Sequence, residues 1–310
     1  MNPTQRKHAA LMGALVGDAA TLGAHWIYDV SRLAELRPRH GTLAFLPVDG
    51  ANYAGGVGYF AHGARHAGQG TQYGAALALA MGTIRAAGGY DMAAHQAAFA
   101  GFFGAGGGWV GYVDRPTRGA LANLAAEQND PSGIDDDQLP AIAALPAVVA
   151  AHLDAPDLGA RVAAAISVTN VNPVAAAQGV LFAAVLGDVM SGAPLDGALR
   201  RGAAGHYTLL AALDSSEACS TAYGELTGRA CHLPMAMPLA WHILARADGF
   251  EDAMQRNIAA GGDNAGRAIV IGALMGAARG LACDDGVPLE WLLRLEGGAA
   301  LWGDARAISG

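Results

Sequence analysis

The chain has 310 residues, 53% hydrophobic and only 15% charged, against about 25% charged in an ordinary soluble protein. Such a chain buries enough apolar surface to offset its ordering entropy, which excludes intrinsic disorder. A net charge of −8 opposes nucleic-acid binding, which depends on basic surface displacing counterions, but leaves room for a small anionic ligand at a local cluster of cations.

Residues 1–8 are polar, with no apolar stretch and no cleavage pattern, so no signal peptide is expected. The first helix carries Gly13 and Gly17, four apart, and then Asp18. An acid within an apolar helix is costly to bury unless it is paired or bound to a cation, which makes Asp18 a candidate for chemistry. Just beyond it, His25, Trp26 and Tyr28 offer hydrogen bonds and a stacking face. Residues 37–72 read as irregular and rich in glycine and aromatics, and loops that long are uncommon in compact domains unless they carry a site. The end of that loop brings Arg65, His66, Thr71 and Gln72 to the start of a helix over residues 74–87. Helix-start amides with an arginine nearby suit a phosphate; Thr71 equally suits a plain N-cap.

A further helix is expected over residues 92–103. The glycine run that follows leads into Trp109, Tyr112, Asp114 and Arg118. It lacks the Lys-Ser/Thr ending of a P-loop, so a ligand-contacting loop and a plain flexible one are both open. Asp135, Asp136 and Asp137 precede an apolar helix over residues 139–153, where acids favour the helix dipole. The apolar stretch at 173–187, about 15 residues, falls short of the roughly 20 that cross a bilayer, so the helix expected over residues 174–190 is read as a core helix with no membrane partner. Another helix is expected over residues 238–246. Cys219, Cys231 and Cys283 are odd in number and widely spaced, matching no zinc or disulfide framework, and read as reduced cytoplasmic thiols. Last comes Gly261-Gly262-Asp263-Asn264, opening a helix over residues 267–283 in which Ala268, Gly272, Gly276 and Gly280 recur every four residues. Rows of small residues bring two helix axes close. Strand-like alternation is nearly absent and no linker divides the chain, so the reading is all-α, one domain over residues 1–310.

In this order the clusters resemble the ADP-ribosylglycohydrolase family. His25-Trp26-Ile27-Tyr28-Asp29, Thr71-Gln72-Tyr73-Gly74, Gly111-Tyr112-Val113-Asp114, Asp136-Asp137-Gln138-Leu139-Pro140 and Gly261-Gly262-Asp263-Asn264 are similar to its J-crystallin-like branch. The resemblance implies a compact orthogonal multi-helix bundle. It also implies hydrolysis of the glycosidic bond joining ADP-ribose to a side chain or related group. Two magnesium ions would be held by a Thr-Asp-Asp motif at one helix start and Asp-Thr-Asp-Thr at another. Here Thr71 and Asp263 match the leading residues and are the residual metal candidates. Gln72 and Tyr73 stand where two acids belong, and Asn264, Ala265 and Gly266 replace the rest of the second motif. Asp263, on this resemblance, and Asp18, as an acid within an apolar helix, are the candidate catalytic acids. His25, Trp26, Arg65, His66, Thr71, Gln72, Tyr112, Asp114, Arg118, Asn264 and Arg267 are the candidate contacts for an anionic nucleotide-sugar ligand. Three functions compete: a hydrolase with an altered site, a nucleotide or ADP-ribose-binding protein that has lost the reaction, and a structural crystallin-like protein.

Overall fold

The computed structural model describes all residues, Met1–Gly310. Sixteen α-helices and three short 3-10 turns account for its regular structure, and the only β-type pairings are isolated bridges. The all-α expectation therefore holds. In chain order the helices are α1 (Pro3–Thr21), α2 (Val30–His40), α3 (Gln72–Ala87), α4 (Met92–Phe103), α5 (Arg115–Ala125), α6 (Leu145–His152), α7 (Leu158–Ser167) and α8 (Pro173–Met190). They continue with α9 (Leu195–Ala203), α10 (Tyr207–Asp214), α11 (Ser220–Thr227), α12 (Leu233–Leu244), α13 (Phe250–Ala259), α14 (Asn264–Arg279), α15 (Leu289–Arg294) and α16 (Gly298–Ser309).

At the centre α1 lies against α14, and the small-residue rows read from the sequence meet there. A Cβ on Gly272 would fall 2.3 Å from the Gly13 carbonyl oxygen, and one on Gly276 would fall 2.1 Å from that of Ala9. Side chains at those positions would hold the two axes apart. Asn2 caps α1 through a capping box with Gln5 and leaves Pro3 at the first turn, where its missing amide costs nothing. A single cluster of 77 buried apolar residues runs from Ala10 to Ile308 around this pair.

Several boundaries differ from those expected. The stretch 139–153 is not one helix: Leu139–Ile142 forms a 3-10 turn and α6 starts only at Leu145. Pro140 and Pro146 explain the break, because each fits a first turn and neither fits a helix interior. The irregular stretch begins after His40, since α2 runs to that residue and stops at Gly41 in the left-handed conformation (φ 74°). The helix expected at 238–246 starts at Leu233, and the last small-residue helix ends at Arg279, before Gly280. By contrast, the helix expected at 174–190 forms as α8, whose 18 residues are long and apolar enough by length and composition to cross a membrane. More than half of it is buried within the fold, packed on α6, α7, α9 and α14, as a core helix is.

Candidate functional site

The starts of α3 and α14 meet beside the loop that leaves α1. Thr71 caps α3, its hydroxyl accepting the Tyr73 amide (3.2 Å). The same residue donates to Asp18 twice, from its amide (2.7 Å) and from its hydroxyl (2.5 Å). Asp18 is fully buried in the last turns of α1. Burial pushes its carboxyl up to about 6, with the two Thr71 hydrogen bonds pulling the other way.

Asp263 caps α14 and is also fully buried. Its Oδ1 accepts the Gly266 amide (2.9 Å) and pairs with His25 Nε2 (3.0 Å); its Oδ2 accepts the Tyr73 hydroxyl (2.8 Å). Burial acts to raise its carboxyl, but the His25 ring, the Gly266 amide and the Tyr73 hydroxyl together hold it below the ordinary carboxylate value. The turn that delivers it needs glycine: Gly261 and Gly262 both have positive φ (74° and 66°), and a Cβ on Gly262 would lie 2.0 Å from the Arg229 carbonyl oxygen.

Behind His25 stands His62, its Nε2 2.7 Å from His25 Nδ1. Burial, then the neighbouring His25 and Arg65, push the His62 ring down to about 2. Its Nδ1 is buried and has no hydrogen-bond partner. On the other side, Gln72 donates to Asp114 Oδ2 (2.7 Å) and Thr117 Oγ1 (2.6 Å) and accepts the Asp114 amide (2.8 Å). Asp114 caps α5 through the Thr117 amide and is raised to about 6 by burial.

These groups wall a cleft formed by His25, Trp26, His62, Thr71, Gln72, Tyr73, Tyr112 and Asp114, with a volume of only about 10 Å³. That is room for about one water, whereas drug-sized ligands occupy roughly 300–1,000 Å³. Aromatic rings close it: Trp26 meets Tyr112 edge-on at 4.7 Å, and Tyr59 lies 5.8 Å from Trp26. Trp26 itself takes the left-handed conformation (φ 67°). That conformation is rare for a bulky residue. Here Trp26 is held by its amide on the Gly262 carbonyl and by the Tyr59 amide on its own carbonyl. A much larger cavity, about 630 Å³, lies elsewhere, among Arg6, Asp196, Arg200 and Arg279 at the opposite end of α1. It contains none of these groups.

Of the residues singled out in the sequence, His25, Trp26, Thr71, Gln72, Tyr112 and Asp114 come together in the cleft wall. The two candidate acids stand one layer back. Asp263 reaches the cleft only through His25 and Tyr73, and Asp18 only through Thr71. On the far side of Asp18 is a hollow of about 90 Å³, with Arg65 in its wall. Arg65 ties two loops together, donating to the Val110 carbonyl (3.1 Å) and stacking on Trp109 (4.4 Å).

Arg65 thus lines that hollow and not the cleft, and four further residues are brought to neither. His66 is exposed and pairs with Glu296 (2.6 Å), because the loop turns outward there. Arg118 is exposed and folds back on the Val113 carbonyl of its own loop. Arg267 is fully buried and spent on structure, donating to Asn257 Oδ1 (2.9 Å) and to the Arg229 (3.1 Å) and Gly261 (2.5 Å) carbonyls. Asn264 likewise donates to the Ala24 carbonyl (3.1 Å). Sequence reasoning missed His62, Tyr73 and Thr117 as members of the network. His62 opens the glycine loop, yet no spacing marks it, since its partner lies 37 residues away. Tyr73 stands out only as the odd residue in an acid's place.

The sequence matches the family described as ADP-ribosylglycohydrolase over residues 1–309. No curated protein matches it. Among solved structures the fold is similar to that of an "ADP-ribosylglycohydrolase-related protein complex". The TM-score is 0.71 at 21% identity, covering 99% of this chain and 98% of the other. At that identity the likeness speaks for the fold alone.

Proposed function

Because the chain belongs to the ADP-ribosylglycohydrolase family, we propose that it hydrolyses a glycosidic bond to ADP-ribose or a closely similar nucleotide-sugar, at a centre that works without a pair of magnesium ions. One observation carries this reading: Thr71, His25, His62, Tyr73 and Asp114, drawn from distant parts of the chain, wall one cleft with Asp18 and Asp263 directly behind. Polar groups buried together at such density oppose stability unless fully paired, and clusters of this kind gather at sites of chemistry.

The donor set does not fit two magnesium ions. Magnesium demands near-octahedral oxygen ligands, and an ion pair about 4 Å apart needs several carboxylates to offset a repulsion of roughly 17 kcal/mol even at an effective dielectric of 20. Here both oxygens of Asp263 accept protein donors, both oxygens of Asp18 accept Thr71, and Asp114 is taken by Gln72 and Thr117. Tyr73 is held un-ionised by burial, then by Asp263. Thr71 and Asp263 thus serve as a cap and a hydrogen-bond acceptor.

Substrate entry requires the loops at 54–71 and 104–114 to part. The aromatic cap of Trp26, Tyr59 and Tyr112 then offers a stacking face for a base, and Arg65, released from Val110, a partner for phosphate. The motifs from His25 to Asp29 and from Thr71 to Gly74 support a place on the J-crystallin-like branch. The buried apolar cluster from Ala10 to Ile308 supports one working domain, and three free thiols support a cytoplasmic setting. A net charge of −8 supports a small ligand over nucleic acid.

The closed cleft favours a second reading, a structural crystallin-like protein. Thermal denaturation with ADP-ribose, in magnesium and in chelator, separates the two. Ligand at a hundred times its dissociation constant stabilises the fold by about 2.7 kcal/mol. Equal stabilisation in both buffers is expected; no shift in either leaves the structural reading standing.

A further inference from the structure

His62 is the one cleft residue whose buried side-chain polar atom lacks a partner. The hydrogen bonds behind it fix what that atom is. Asp263 Oδ1 already accepts the Gly266 amide and is held as a carboxylate, so His25 Nε2 must donate to it. In a neutral ring the other nitrogen then carries a lone pair. With His25 neutral, its Nδ1 accepts and the proton between the rings belongs to His62 Nε2. That leaves His62 Nδ1 bare, a buried lone pair without a protein partner, on a ring that lines a cleft with room for about one water.

We infer that Asp263, His25 and His62 form one proton relay, whose outer end, His62 Nδ1, takes the proton of the attacking water. The inference rests on the hydrolase reading above. As the water oxygen bonds to the anomeric carbon, its proton passes to His62 Nδ1. The proton on His62 Nε2 moves in the same event to His25 Nδ1. The bond to the leaving atom breaks with its electron pair on that atom, and the proton held on His25 returns through His62 to neutralise it. The net change is the addition of water across the bond.

The environment dictates a relay instead of a lone base. Burial and the nearby Arg65 disfavour a cationic His62, so a proton arriving there must move on. His25 can receive it because its far nitrogen faces the Asp263 carboxylate. The His25 and His62 rings are nearly parallel (16°), and Trp26 packs beside both, 4.2 Å from His25 at a tilt of 31° and 5.9 Å from His62. Asp263 thus acts at one remove, which explains why it sits behind the cleft. His25 is a positioning and storage residue, and His62 the group that meets the water.

Two measurements test this on the full chain. Nitrogen NMR of the histidine rings, without substrate, should show His62 protonated on Nε2 and bare on Nδ1, with the Nε2 proton shared with His25. A proton on His62 Nδ1, or no coupling between the rings, overturns the relay even if the protein hydrolyses its substrate. Release of ADP-ribose from a chemically ADP-ribosylated peptide should fall about 100-fold or more in His62→Gln and in His25→Gln. In the double variant it should fall no further, as for groups that act as a unit. Losses that multiply, or a His62→Gln variant within about threefold of wild type, overturn it. If the wild-type chain releases nothing while its rings show the inferred protonation, the hydrolase reading is what has failed, and the relay's catalytic role falls with it.

Discussion

Replacing Tyr73 by Phe removes one oxygen and leaves the ring in place, so it reads the bond between the two helix starts directly. The hydroxyl donates to Asp263 Oδ2 at 2.8 Å, and both residues are buried. A hydrogen bond to a charged acceptor contributes about 1.5–3 kcal/mol, more if its loss strands the charge. Asp263 keeps His25 and the Gly266 amide on its other oxygen, so the cost should stay near the lower end, about 2 kcal/mol. For a chain of this size that is a fall of about 4 °C in Tm. The pH dependence has a definite sign. Tyr73 helps hold the Asp263 carboxyl below its ordinary value; a depressed carboxylate stabilises the fold above that ordinary value and loses its contribution as pH falls through the folded one. Without the hydroxyl the folded value rises, so Tyr73→Phe should begin to lose stability at a higher pH than wild type on acidification. Urea denaturation at pH 7 and along a series from pH 3 to 5 measures both effects. A loss under about 0.5 kcal/mol with an unchanged acid limb would refute the bond's importance.

Gly272→Ala should drive a methyl into the Gly13 carbonyl, 2.3 Å from where the Cβ would sit, and cost about 1–3 kcal/mol or more by urea denaturation; a neutral result would mean that α1 and α14 can separate freely. Asp18→Asn tests a carboxyl raised to about 6. A raised folded value gives stability that is present below the ordinary carboxylate value and lost as pH rises through about 6. The variant should therefore gain on wild type between pH 4 and 7, and parallel urea midpoints would contradict the shift. Arg267→Met leaves the carbonyls of Arg229 and Gly261 and the Asn257 side chain without their donor; at about 1–3 kcal/mol each, a loss of at least 3 kcal/mol is expected in the denaturation midpoint.

What could be read in the sequence follows the range of the forces involved. Small residues at Ala268, Gly272 and Gly276 announce a close crossing because helical spacing is local, and that crossing with α1 is the heart of the fold. The helix at 92–103 and the starts at Thr71 and Asp263 were legible from caps and periodicity. Short helices such as α9, α10, α11 and α15 were not. Stretches of six to nine residues carry too little periodicity to stand out. Within the site, residue types were legible and roles were not. Arg267 looks like an anion-binding cation, yet burial turns it into a clamp for backbone carbonyls. His66 looks like its neighbours in the glycine loop, yet the loop turns it toward Glu296 and solvent. Asp263 stands out in the sequence, but only three-dimensional packing reveals Tyr73 and His25 on its oxygens and His62 beyond. Those contacts span tens to hundreds of residues, and no local pattern encodes them.

The most direct test of the central claim is the release of ADP-ribose from an ADP-ribosylated peptide by the intact chain in excess chelator, beside the same reaction in magnesium. Equal release in the two buffers, lost in Asp263→Ala at unchanged helical content, is expected of a hydrogen-bonded centre. Release that appears only with magnesium would contradict it.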